Sequence, residues 1–162
     1  MGYSIDADTM KFLKKAQKNE ITEHRIYLKL SSFRKNRKNS EILRQIAGDE
    51  LKHHDVLKRF TGTDAKPNLL KVWFYTFVST LLGITFGIKL MERGEKSSEK
   101  VYRELGEKIE EFKRLSNDED MHERELVAII EEEKLQYVGS MVLGLNDALV
   151  ELTGTLAGLT FA

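Results

Sequence analysis

The chain has 162 residues, enough to bury the core of one domain, or of one domain and a fragment of another. Lys plus Arg and Asp plus Glu both number 26, so the formal net charge is zero and the basic balance that suits a nucleic-acid partner is missing. Cysteine is absent, which excludes disulfides, thiol chemistry and thiolate metal sites; any metal has to be held by carboxylate and imidazole, donors that suit iron, manganese or zinc.

With one Pro and 32% charged residues, in long stretches rich in Leu, Glu, Lys and Arg, the composition predicts an all-α protein. The first fifteen residues are polar and contain no apolar signal-peptide core.

A first helix is expected over about residues 8–35. Leu13, Glu20, Tyr27 and Arg34 fall on one heptad line, with Ala16, Leu30 and Phe33 beside it. Glu20 therefore sits in the middle of an apolar stripe, where an unpaired carboxylate is costly. Glu23 lies on the same flank, and His24 reads as a surface or supporting residue. The polar, basic stretch 34–39 predicts a turn, with Ser40 as N-cap of the next helix and Glu41 in its first turn.

The second helix is expected to reach about Phe60, with Leu43, Ile46, Glu50, His53, Leu57 and Phe60 inward. Glu50 and His53 are three apart and share a face; His54 points about 100° away and is set aside. Residues 61–68, with Gly62 and Pro67, break the helix. Residues 69–91 form a long apolar run whose ends carry Lys71 and Lys89. A crossover packed on the bundle and a dimer contact are the favoured readings of this run. A short membrane span and an interfacial role for Trp73-Phe74-Tyr75 compete with them.

The third helix carries Ile88, Glu92, Glu95, Tyr102 and Leu105. In an antiparallel pair, residues at equal height are equidistant from the turn. Glu20 and Glu50 thus place a turn near 35, and Glu95 with Glu119 place one near 107, where Gly106 offers a C-cap. The fourth helix is expected over about residues 107–137, with Ile109, Phe112, Glu119, His122, Leu126, Ile129 and Ile130 inward. Glu123, Glu125 and Glu131 to Glu133 read as its solvated side, and Gly139 as its end.

The chain thus says Glu…Tyr (Glu20, Tyr27), Glu-x-x-His (Glu50, His53), Glu…Tyr (Glu95, Tyr102), Glu-x-x-His (Glu119, His122). That is the ligand order of a four-helix di-metal carboxylate site, in which two helices give one Glu each and the other two a Glu-x-x-His. Each piece is weak, and the ordered set with its two matched turns is strong.

These motifs resemble the rubrerythrin and bacterioferritin branch of the ferritin-like superfamily. The resemblance implies a ferritin-like four-helix bundle with a long crossover between the second and third helices. It makes Glu20, Glu50, His53, Glu95, Glu119 and His122 ligands of two iron ions, with manganese or zinc as substitutes. Glu50 and Glu119 would bridge the metals, and Tyr27 and Tyr102 would stand behind the ligands. Ser98 occupies the place of an extra rubrerythrin Glu, for which Glu23 is the available substitute, and Glu92 is a further candidate ligand. Lacking cysteine, the chain has no rubredoxin-type iron centre.

Residues 139–162, SMVLGLNDALVELTGTLAGLTFA after Gly139, resemble the first transmembrane helix of the vacuolar iron transporter family. Asp147 and Glu151, four apart on one face of an apolar helix, are then expected to line a metal pathway. The resulting expectation is a ferritin-like domain over 1–138, cytoplasmic and fused to a membrane transporter whose first helix is cut short at 162. The partners are metal ions, a second copy in a homodimer, and the membrane. Three functions compete: a ferroxidase-type di-iron module coupled to iron or manganese transport, a non-catalytic metal sensor or collector that feeds the transporter, and a helical dimerisation domain with a vestigial site.

Overall fold

A computed structural model of the chain describes residues 6–33, 36–92 and 96–161, and at 92, 96–99 and 161 the backbone only. The described residues form six helices and no strand: α1 (Ala7–Ser32), α2 (Arg37–Thr61), α3 (Leu69–Leu81), α4 (Ile84–Glu92), α5 (Lys96–Gly106) and α6 (Glu110–Phe161). The protein is all-α and ferritin-like in architecture, as its sequence predicts. It divides into two compact units, residues 1–126 and 127–162.

In the first unit α1 and α2 pack as an antiparallel pair. Asp6 caps α1, accepting from the Thr9 backbone N–H at 2.8 Å. The cap of α2 is Asn36, whose Oδ1 accepts from the N–H groups of Lys38 and Asn39, so the cap lies four residues before the expected Ser40. Asn caps as well as Ser does, and Ser40, now inside the helix, donates to the Ser31 carbonyl oxygen at 2.7 Å across the turn. Phe33 is also a correction: it is the exposed C-cap of α1, not part of the apolar stripe.

Gly62, with φ of 64°, ends α2 in the left-handed conformation that glycine tolerates. The 63–68 link is tied down where the Asn68 N–H donates to Thr22 Oγ1 at 2.9 Å. The apolar run 69–91 is not one helix. It bends at Leu82 and Gly83 (φ 91°) into α3 and α4, which pack on each other while α3 packs on α1. At 13 residues α3 is about 20 Å long, short of a hydrocarbon core of about 30 Å. A crossover lying on the bundle therefore fits this segment, and a span does not. The α3–α4 contact is tight, since a Cβ at Gly87 would collide with Ser79 Oγ and stand 2.8 Å from its Cβ.

Leu13, Ala16, Leu57, Tyr102, Ile109, Phe112 and Leu115 form one buried cluster, with the Phe60 and Phe112 rings 4.9 Å apart. It joins α1, α2, α5 and the start of α6 beneath the site. The turn near 107 is where the sequence places it, for a different reason. Gly106 has no left-handed φ, and a Cβ there would come within 2.9 Å of Lys113 Cα, so glycine serves the close approach of α5 and α6.

In the second unit α6 continues without interruption through Gly139, which corrects the expected helix end. A lone glycine with no proline or cap after it costs a helix only about 1 kcal/mol. Residues 135–160 are exposed and mainly apolar, and Asp147 and Glu151 are their only charged residues. Among the described residues, α6 is the one helix long and apolar enough to cross a membrane, by length and composition.

Candidate metal centre

Three helices of the first unit bring carboxylates and imidazoles together. On α1, Leu13, Ala16, Gln17, Glu20, Tyr27 and Leu30 are buried, so the helical period that buries the apolar residues carries Glu20 in with them. On α2 the buried set Leu43, Ile46, Leu57 carries Glu50 and His53 in the same way. On α6, Phe112, Leu115 and Leu126 bury His122, while Glu119 keeps 26% of its side chain exposed.

Glu20, Glu50, His53 and Glu119 each offer a ligand atom, and these four atoms lie within 4.8 Å of one another. His53 Nδ1 stands 3.3 Å from Glu119 Oε1, 3.5 Å from Glu50 Oε2 and 3.8 Å from Glu20 Oε2. His122 Nδ1 stands 3.3 Å from Glu50 Oε1 and 4.0 Å from Glu119 Oε2. The two carboxylates from the Glu-x-x-His motifs therefore lie between the two imidazoles, whose centroids are 5.7 Å apart. At these distances the approaches are charge contacts and not aligned hydrogen bonds. Glu20 Oε2, Glu50 Oε2, His53 Nδ1 and His122 Nδ1 are shielded from solvent and make no hydrogen bond. Orphaned buried polar atoms cost about 1–3 kcal/mol each. Four of them converging on one place is the arrangement a cation satisfies.

The outer nitrogens show a relationship that the sequence reading missed. His53 Nε2, on α2, meets Asp118 Oδ2, on α6, at 3.2 Å. Reciprocally, His122 Nε2, on α6, faces Asp49 Oδ2, on α2, at 3.5 Å, an ion-pair contact somewhat long for a hydrogen bond. Each Glu-x-x-His motif is thus an Asp-Glu-x-x-His, and its Asp serves the histidine of the other helix. A carboxylate on the far nitrogen turns the ring and holds a proton on that side, so that Nδ1 can give a lone pair to a cation once its own proton has left. The signal was present in sequence as the repeated pairs Asp49-Glu50 and Asp118-Glu119.

Tyr102, fully buried, donates its hydroxyl to Glu20 Oε1 at 2.5 Å, fixing the one carboxylate that no histidine motif accompanies. Tyr27 is buried too. Burial, and then repulsion from Glu50, raises the Glu20 carboxyl from 4.5 to about 7. Burial also raises Glu119. Burial and repulsion from Glu119 push against ionisation of Glu50, yet the imidazoles of His122 and His53 prevail and lower it. His53 is desolvated, which disfavours its cation, but Glu119, Glu20 and Glu50 around it raise it far above the ordinary histidine range. Without metal, the cluster holds itself together with protons.

Of the residues singled out in sequence, Glu20, Glu50, His53, Glu119 and His122 come together here, and Tyr102 stands behind Glu20. Glu95 lies outside the described residues, as does the side chain of Glu92. Glu23 is half-buried, and its negative charge adds to those that raise the Tyr102 hydroxyl, after burial and Glu20. His24 is a supporting residue between helices, its Nδ1 2.6 Å from the Ala47 carbonyl oxygen. Glu125, expected on the solvated side, is half-buried with Oε2 shielded from solvent and unbonded. Asp147 and Glu151 belong to the second unit and are exposed on α6.

An all-α fold with a buried carboxylate–histidine cluster of this kind can hold metal. Residues 11–85 match the model of the rubrerythrin family. That stretch runs from α1 to the start of α4 and contains Glu20, Glu50 and His53, three of the five donors that come together in the cluster. Among curated proteins and among solved structures, none matches the chain.

Proposed function

We propose that the first unit is a di-iron carboxylate domain of ferroxidase type, and that it serves iron or manganese transport by an attached membrane domain. The observation that carries this reading is the convergence of Glu20, Glu50, His53 and Glu119 within 4.8 Å, with unbonded buried atoms aimed at the same place. His122 extends the cluster on the far side of Glu50 and Glu119, and Glu95 completes the six-ligand order by its position in sequence. Four glutamates against two divalent ions balance the charge, which is what burial at this depth requires.

In this reading Glu20, Glu50, His53, Glu95, Glu119 and His122 would hold the two ions, with Glu50 and Glu119 the carboxylates that stand between the two imidazoles. Iron bound there supplies one-electron oxidation from the ferrous to the ferric state, with oxygen or peroxide as acceptor. The residues of the chain do the rest. Asp118 holds the proton on His53 Nε2, and Asp49 sets its charge 3.5 Å from His122 Nε2, so the nitrogens facing the site are the ones left to give lone pairs to a metal. Tyr102 keeps Glu20 oriented, and the packed faces of α1, α2 and α6 restrict water. Glu119, partly exposed, is the carboxylate through which an ion reaches the buried donors.

The apolar part of α6, with Asp147 and Glu151 on one face, supports membrane attachment. A cytoplasmic ferritin-like domain would then sample metal at the membrane surface. Adding ferrous iron without oxygen, and then admitting oxygen or peroxide, tests the reaction. The proposal expects a near-ultraviolet ferric band that grows at a rate proportional to protein. Tight ferrous binding without such a band would reduce the domain to a binder.

A further inference from the structure

The packing of α3 on α1 uses only one side of that helix. Val72 and Ser79 are buried, whereas Leu70, Trp73, Phe74, Phe77 and Leu81 lie on the other side at helical spacing and are exposed, Leu70 to 82% and Trp73 to 65%. Together these five residues expose on the order of 700 Å², close to what each partner contributes to a standard protein interface. Patches on monomers seldom exceed about 600 Å².

We propose that this stripe is the contact between two copies of the chain, with α3 packed antiparallel on the α3 of its partner across a two-fold axis. The inference is independent of the metal reading.

Charge selects the occupant. No charged side chain occurs between Lys71 and Lys89, and no acid anywhere in residues 65–91, although acids make up 26 of the 162 residues. Uncharged aromatic centres with charge at the rim are the pattern of protein interface cores. The stripe also matches itself. Running from Leu70 to Leu81, it has its midpoint between residues 75 and 76, so antiparallel pairing sets Leu70 against the partner's Leu81 and Phe74 against the partner's Phe77. The stacked Trp73 and Phe77 rings, 5.4 Å apart, already have fixed orientations. The same pairing places the two Lys71 residues about 13 Å apart along the helix axis, beyond the screening length of about 8 Å at physiological salt.

The absence of cysteine makes this testable without background. In the full chain in nonionic detergent, Phe74→Cys and Phe77→Cys, each close to the axis, are expected to form disulfide-linked dimers on mild oxidation. Leu70→Cys and Leu81→Cys alone should not, since a disulfide needs Cα atoms within about 7 Å, but an equimolar mixture of the two should cross-link. Lys100→Cys on α5 serves as the control. Light scattering should give two chains for the unmodified protein and one for Phe77→Glu, with helical circular dichroism retained, because Phe77 is outside the core. Trp73, the single tryptophan, should emit at shorter wavelength in the dimer than in Phe77→Glu. The proposal is overturned by a single-chain mass for the unmodified protein, by a dimer that survives Phe77→Glu, by equal cross-linking at 70, 74, 77 and 81, or by quenching of Trp73 with brominated lipid in a monomer.

Discussion

His53 of α2 is held at Nε2 by Asp118 of α6, at 3.2 Å, while its Nδ1 faces the carboxylates of Glu20, Glu50 and Glu119. One ring thus joins a supporting carboxylate on one side to the candidate donors on the other. Asp118→Asn keeps the shape and removes the charge, leaving His53 without its anchor. Metal affinity, read by titration with manganese(II) or cobalt(II), is expected to fall by about 10–100-fold, the usual cost of losing such a partner. Asp49→Asn should act in the same direction on His122. Unchanged affinity in both variants would show that the pairs do not orient the rings.

The Tyr102 hydroxyl is the hydrogen-bond donor to Glu20 Oε1. Tyr102→Phe leaves that oxygen unpaired in a buried place. The metal-free protein is expected to lose about 1–3 kcal/mol of stability in urea unfolding. Loss within experimental error would mean that water replaces the hydroxyl.

The metal-free cluster has a predictable pH response. Burial and repulsion from Glu50 raise Glu20 to about 7 from 4.5, so the folded state holds this proton more tightly than the unfolded chain does. The resulting stability is complete below about pH 4.5 and is lost as pH rises toward 7. His122 acts with the same sign: burial disfavours its cation but Glu50 and Glu119 raise it, so its contribution is full below 6.5 and fades above. Glu50 is lowered despite burial and Glu119, and its contribution is lost on acidification below its unfolded value of 4.5. Thermal stability of the metal-free protein should therefore decline from about pH 5 to pH 7.5. Metal affinity should rise over the same window, with protons released on binding. Melting curves across that range, and binding heats in buffers of different ionisation enthalpy, check both signs. A metal-free protein whose stability rises with pH would contradict the assignment.

Much of this was legible in the sequence, because metal ligands on helices inherit the helical period. Glu20, Glu50, His53 and His122 stand on the apolar lines of their helices, so the rule that locates the core also locates them. Asp49 and Asp118 were not found, since a residue adjacent to an inward Glu points about 100° away on its own helix and its use appears only when a second helix arrives. The bend at Gly83 was hidden in an apolar run with no polar break. Asn36 took the cap expected at Ser40, one good cap residue displacing another. Gly106 marked the right place through close approach and not backbone handedness, and Gly139 marked none, because a glycine without a following cap or proline does not end a helix.

The central claim is that the buried carboxylates of α1, α2 and α6 bind a metal pair. Anaerobic ferrous titration of the purified chain, beside Glu50→Ala and Glu119→Ala, tests it most directly. About two tightly bound ions per chain are expected for the unaltered protein, as in other four-helix carboxylate sites, and fewer than one for either variant. Iron stoichiometry that is unchanged by both substitutions would contradict the account.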